Sequence, residues 1–153
     1  MKPQTLEIKA SLQIMKPVHL VFEAIVDPAQ MANYFISESS GRMDEGRELI
    51  WRFPEFDMNV PIRVQEVIRD KYISYYWDAD GQALLVEITL APYDTNATVV
   101  TVTEKSREND EKGIAWLKGN TEGWANFLAC LKAYLEYGIN LRKGGFDFRA
   151  KEK

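Results

Sequence analysis

His19 is the only histidine in the chain, and so the only side chain whose ordinary pKa suits a proton shuttle near neutrality. A nucleophilic relay needs a base beside a Ser or Cys. Nothing in the sequence marks a partner for His19, which sits at the start of a short helical run and reads as an exposed or capping residue. Cys130 is also single. That excludes an intramolecular disulfide and a Cys/His zinc set, and its apolar helical surroundings point to core packing. The acidic residues Glu104, Glu108, Asp110 and Glu111 alternate with Lys105, Arg107 and Lys112, the pattern of a solvated loop rather than a metal site. Gly144-Gly145 lacks the Lys-Ser/Thr and the strand-to-helix setting of a phosphate loop and reads as a turn. Glu66 and Glu87 fall on predicted strands. Two carboxylates across a cleft could run glycoside-type chemistry, but alternation does not set these two face to face. No catalytic residue, metal ligand or cofactor is therefore assigned, and Glu66 is kept only as the acid of an enzymatic alternative.

The residues left are suited to binding. Aromatic side chains make up 12% of the chain, including four tryptophans, and Trp51, Phe53, Tyr75, Trp77, Trp124 and Phe127 fall on predicted inward faces. Two readings stay open for these six residues: ordinary core, or the lining of a ligand cavity. Bulk combined with polar handles favours the cavity, because buried indole N–H and phenol O–H groups need partners that a ligand can supply. By the same alternation Arg52 and Arg63 belong to the outer surface.

The elements that must position these side chains are legible as periodicities. Leu6, Ile8, Ala10, Leu12 and Ile14 alternate with polar residues, which predicts a strand with one wet face. Pro17 suits a first helical turn, and Val18, Val21, Phe22 and Ile25 recur at helical spacing up to Asp27-Pro28, where a second short helix with Met31 and Tyr34 begins. The middle of the chain reads as a strand meander punctuated by Ser40-Gly41, Glu45-Gly46, Arg69-Asp70-Lys71, Asp80-Gly81 and Asp94-Thr95-Asn96. Its strands run through Leu49–Phe53, Val60–Gln65, Ile73–Trp77, Ala83–Leu90 and Thr98–Glu104. After the charged run from Glu104 to Lys112, Trp116, Asn120, Trp124, Phe127, Leu128, Leu131, Tyr134 and Leu135 recur at three- and four-residue steps. This predicts a helix of ~28 residues, capped by Asn109 or Asp110, stopped by Gly138, and open to a break at Gly119 and Gly123.

The whole predicts one α+β domain over residues 1–153: a curved antiparallel sheet of about six to seven strands wrapped around a long C-terminal helix, with residues 141–153 as a solvated tail. Arg142, Lys143, Arg149, Lys151 and Lys153 give that tail some positive charge, diluted by Asp147 and Glu152. A formal net charge of −4 and a pI near 5.1 argue against a nucleic-acid partner, which requires a concentrated basic face. No apolar leader and no stretch approaching 18 apolar residues is present, so no membrane span and a cytoplasmic location are expected.

Three segments together resemble the START-like superfamily, also called SRPBCC or helix-grip, and within it the group named after the activator of the heat-shock chaperone ATPase. Pro17-Val18-His19-Leu20-Val21-Phe22-Glu23-Ala24-Ile25-Val26-Asp27-Pro28 is similar to the family's opening helix. Gly46 followed by Trp51 is similar to its G-x-x-x-x-W strand. Glu122-Gly123-Trp124 with Leu128, Leu131 and Tyr134-Leu135-Glu136 is similar to its C-terminal helix. Tyr34-Phe35 stands where the family usually has a tryptophan.

The resemblance implies a cavity between sheet and helix for a small hydrophobic or lipid-like ligand, in a stress-related or metabolic role. The alternative is a protein-interaction module that contacts a chaperone or another protein and has a filled interior, as a monomer or weak homodimer. An open pocket of several hundred Å³ separates the first from the second.

Overall fold

A computed structural model describes residues 4–79 and 81–151; Asp80, Glu152 and Lys153 of the readings above lie outside them. The chain opens with strand β1 (Thr5–Ile14), followed by helices α1 (Val18–Val26) and α2 (Pro28–Met31). Strands β2 (Glu38–Ser39), β3 (Glu48–Phe53), β4 (Phe56–Ile68), β5 (Tyr72–Ala79), β6 (Gln82–Asp94) and β7 (Ala97–Glu108) come next. Helix α3 (Glu111–Tyr137) and a 3-10 turn (Asp147–Lys151) complete the order. The strands form one antiparallel sheet in the order β1-β7-β6-β5-β4-β3-β2. First and last strands are thus neighbours, and α1 and α2 carry the chain from one sheet edge to the other.

The inward face follows the predicted alternation. Ile8 and Ile14 of β1, Leu49 and Trp51 of β3, Ile62 and Val64 of β4, Val86 and Ile88 of β6, and Val100 and Val102 of β7 are all buried. They pack with Trp124, Phe127, Leu128 and Leu131 of α3 in one apolar cluster, each full burial contributing about 1.5–3 kcal/mol. Arg52 and Arg63 lie on the other face, in ion pairs with Asp57 at 2.6 Å and Asp78 at 3.6 Å.

Asp110 caps α3, accepting from the Gly113 amide at 2.8 Å, and Gly138 ends it in the left-handed conformation at φ 65°. The break considered at Gly119 and Gly123 is absent: the helix is continuous. The charged run after Glu104 also differs from expectation. Strand β7 continues to Glu108, because pairing with β1 from Thr5 onward carries the ladder through it.

A third difference concerns the C-terminal segment, expected as a solvated tail. Arg142 reaches back to Glu55 in the tight β3–β4 turn, with Nη2 donating to Oε1 at 2.8 Å and Nε to Oε2 at 3.3 Å. Arg149 donates to Glu122 of α3 at 2.9 Å. One anchor is on the sheet and one on the helix, so the segment lies across the gap between them.

Candidate ligand pocket with a buried carboxylate

That gap is a pocket of about 470 Å³. Its sheet wall is Phe53, Phe56, Met58, Val60 and Trp77, its helix wall Gly119, Asn120, Gly123 and Trp124, and Phe35 closes the inner side. Arg142, Phe146 and Arg149 of the C-terminal segment form the remaining boundary. Local sequence explains the shape. A register irregularity between Trp51 and Phe53 turns the end of β3, so Phe53 comes out half-buried on the pocket while Trp51 stays in the core. On the helix, Gly119 and Gly123 are one turn apart, and a methyl group added to either would meet nothing within 4 Å. The absence of side chains at these two positions keeps that wall open.

Of the six aromatic residues expected to line a cavity, Phe53, Trp77 and Trp124 line it. Trp51, Tyr75 and Phe127 are buried behind them. All six still belong to one ring cluster: Trp51–Tyr75 at 5.3 Å between centroids, Tyr75–Trp77 at 5.5 Å, Trp77–Trp124 at 5.6 Å and Trp124–Phe127 at 5.3 Å. Phe35 joins it through an edge contact with Phe127 at 4.7 Å and another with Phe53 at 5.3 Å.

The polar centre of this cluster is Glu104, 0% exposed on the inward face of β7. Trp124 Nε1 donates to its Oε1 at 2.8 Å, Trp77 Nε1 to its Oε2 at 3.0 Å, and Asn120 Nδ2 to Oε1 at 3.2 Å. Burying a carboxylate is costly unless its lone pairs are occupied, and here three N–H donors from β5 and α3 occupy them. The indole N–H groups therefore find their partner in the protein. Trp51 Nε1 and Tyr75 Oη, by contrast, are buried with no hydrogen-bond partner among the described residues. Burial pushes the Tyr75 phenol well above its usual range, and the nearby Glu104 charge adds to that shift.

Glu104 does not belong to the solvated acidic loop that its charged neighbours suggest: it is a residue of β7, and alternation from Val100 and Val102 carries it inward. Glu66, the acid of the enzymatic alternative, is exposed and is not part of the pocket. Glu87 is on the outer side, where Tyr72 donates to it at 2.6 Å and Lys105 pairs with it at 3.1 Å. The Tyr72 hydrogen bond, then Lys105, hold its carboxyl below the ordinary range against the opposing effect of burial. Burial likewise raises the Cys130 thiol, which sits in the core as expected. Among the described residues no group of His, Cys, Asp and Glu is arranged to hold a metal ion, and no helix is long and apolar enough to cross a membrane.

A family model described as Activator of Hsp90 ATPase homolog 1-like protein matches residues 16–136. The chain belongs to this family. The helix-grip sheet and helix inferred from the motifs are its observed architecture. Among solved structures, protein SSP2350 from Staphylococcus saprophyticus is 32% identical to this chain, with a TM-score of 0.78 over 90% of this chain and 96% of that one. DynU16, a protein of the dynemicin biosynthetic locus, is 26% identical with a TM-score of 0.76, over 88% of this chain and 48% of its own. The Aha1 dimer from Colwellia psychrerythraea shares the fold at 19% identity and a TM-score of 0.74, covering 87% of this chain and 98% of that one. Among curated proteins, none matches by sequence.

Proposed function

We propose that this protein binds a small hydrophobic ligand in the pocket between β3–β5 and α3. The observation that carries the reading is the open aromatic pocket of about 470 Å³, within the 300–1,000 Å³ of small-molecule sites. An interior serving only as a scaffold for protein contacts would be filled. Two further features support it. The two glycines keep space open on α3 at a cost in helix stability, and the Glu104 hydrogen bonds fix the orientation of two wall indoles before any ligand arrives, which lowers the ordering cost of binding. A chaperone or other protein partner is the second reading, and it rests on family membership alone.

The test is native mass spectrometry of the purified protein followed by organic extraction, with a thermal-shift panel of hydrophobic compounds beside it. A co-purifying adduct, or a compound that raises Tm for the native protein and not for Gly123→Leu, supports the pocket. A clean apo mass with no shift across the panel shifts the weight to protein contacts.

A further inference from the structure

We infer that the pocket is built for an organic cation, an alkylated or ring nitrogen carrying positive charge on a flat apolar body. This rests on the reading of the pocket as a ligand site.

Among the described residues, the charges around the pocket cancel, with one exception. Arg142 is bound through Nε and Nη2 to Glu55, Arg149 pairs with Glu122 at 2.9 Å, and Asp78 pairs with Arg63 at 3.6 Å. Glu104 remains. It is wholly buried, its donors are the neutral N–H groups of Trp77, Trp124 and Asn120, and among the described residues it makes no ion pair. Both oxygens receive N–H donors, an arrangement matched to an acceptor-only carboxylate. Of the charges nearest the pocket, this negative one is left without an opposite charge in contact, in a setting where screening by solvent is weak.

The indoles carry that charge towards the pocket. Trp77 and Trp124 both line it, yet both commit their N–H groups to Glu104. The carbon framework of each ring is what remains for a ligand, and donation to an anion increases the electron density of that framework. Phe35 and Phe53 also line the pocket, but the Arg142 guanidinium already lies over their rings at 5.7 and 5.8 Å, so the two indoles are the aromatic faces left for a ligand. Cations are attracted to aromatic faces, most strongly to indole and most strongly where water is excluded. Anions find less here. Arg142 and Arg149 are engaged by carboxylates, and each also stacks on Phe146 at 4.7 Å.

The experiment compares three probes of nearly the same shape: 1-methylquinolinium, 1-methylnaphthalene and 1-naphthoate. Each is titrated into the full chain at roughly 0.15 M salt and followed by ligand-observed NMR. The expected order is cation, then neutral, then anion, with the cation about tenfold tighter than the neutral probe. In Glu104→Gln that ratio should fall towards one while the neutral probe still binds, a change of selectivity that simple loosening of the pocket would not produce. Should Glu104→Gln fail to fold, the ranking on the native chain decides alone. Neutral or anionic probe binding at least as tightly as the cation overturns the inference and leaves the pocket reading standing. No binding of any probe, together with a clean apo mass and a flat thermal-shift panel, overturns both.

Discussion

Adding one methyl group to α3 should have opposite effects at positions in the same helix. Gly119 and Gly123 lie in the interior of Glu111–Tyr137, and a Cβ at either meets nothing within 4 Å. Glycine is about 0.8–1.0 kcal/mol less favourable than alanine in a helix interior, so Gly119→Ala and Gly123→Ala should each stabilise the protein by close to that amount. Together they should add about 1.6–2 kcal/mol and raise Tm by roughly 3–8 °C at this chain length.

Gly113 behaves differently. It is buried in the first turn, where its amide donates to the Asp110 cap, and a Cβ there would run into the Glu108 carbonyl. Overpacking costs about 1–3 kcal/mol, so Gly113→Ala should be net destabilising despite its better helix propensity. Urea unfolding followed by far-UV circular dichroism measures all three, with an unchanged m-value confirming that stability alone has moved. If Gly119→Ala and Gly123→Ala destabilise as Gly113→Ala does, the helix wall is closed and leaves no room there for a ligand.

Three further outcomes follow from named contacts. Arg142→Met leaves Glu55 buried at 3% exposure without its cation and should cost about 3 kcal/mol, with limited proteolysis showing earlier cleavage beyond Leu141; unchanged cleavage would mean the ion pair does not hold the segment. In acid, Glu23 and Glu87 are held below the ordinary carboxylate range, mainly by hydrogen bonds from Arg42 and Tyr72 respectively. Their contribution is present above the unfolded value near ~4.3 and lost as pH falls through the lower folded values, so Glu87→Gln should flatten the acid limb of a stability–pH curve. In base, burial keeps Tyr34 and Tyr75 protonated beyond the usual range. Stability should therefore decline as pH rises above ~10, with tyrosinate absorbance from these two rings appearing only on unfolding.

The fold was legible because its signals are periodic. Alternation marked the inward faces of β1, β3 and β5, and three- and four-residue steps marked the buried side of α3, with Gly138 at its end. Strand β2, Glu38–Ser39, was not visible, since two residues cannot display a period. The site was legible in part. Spacing could bring six aromatic residues to one cluster, yet which of them border empty space depends on the irregularity near Phe53 and on where α3 lacks side chains. Glu104 was hidden by composition: its charged neighbours suggested a loop, although its parity with Val100 and Val102 already placed it inside. Arg142 and Phe146 carried no comparable signal, because the segment that holds them repeats no pattern and is placed by ion pairs to distant residues.

The shared carboxylate also makes the pocket an optical instrument. Trp77 and Trp124 sit 5.6 Å apart, Trp51 is 6.4 Å from Trp77, and two of the three indoles donate to one anion. Rings this close exchange excitation, so light absorbed by any of them reaches the pair that forms the wall. Near-ultraviolet circular dichroism should carry a coupled-indole signature, and a molecule entering the pocket would disturb the shared excited state directly. Occupancy could then be followed in solution through the protein's own emission, without a label.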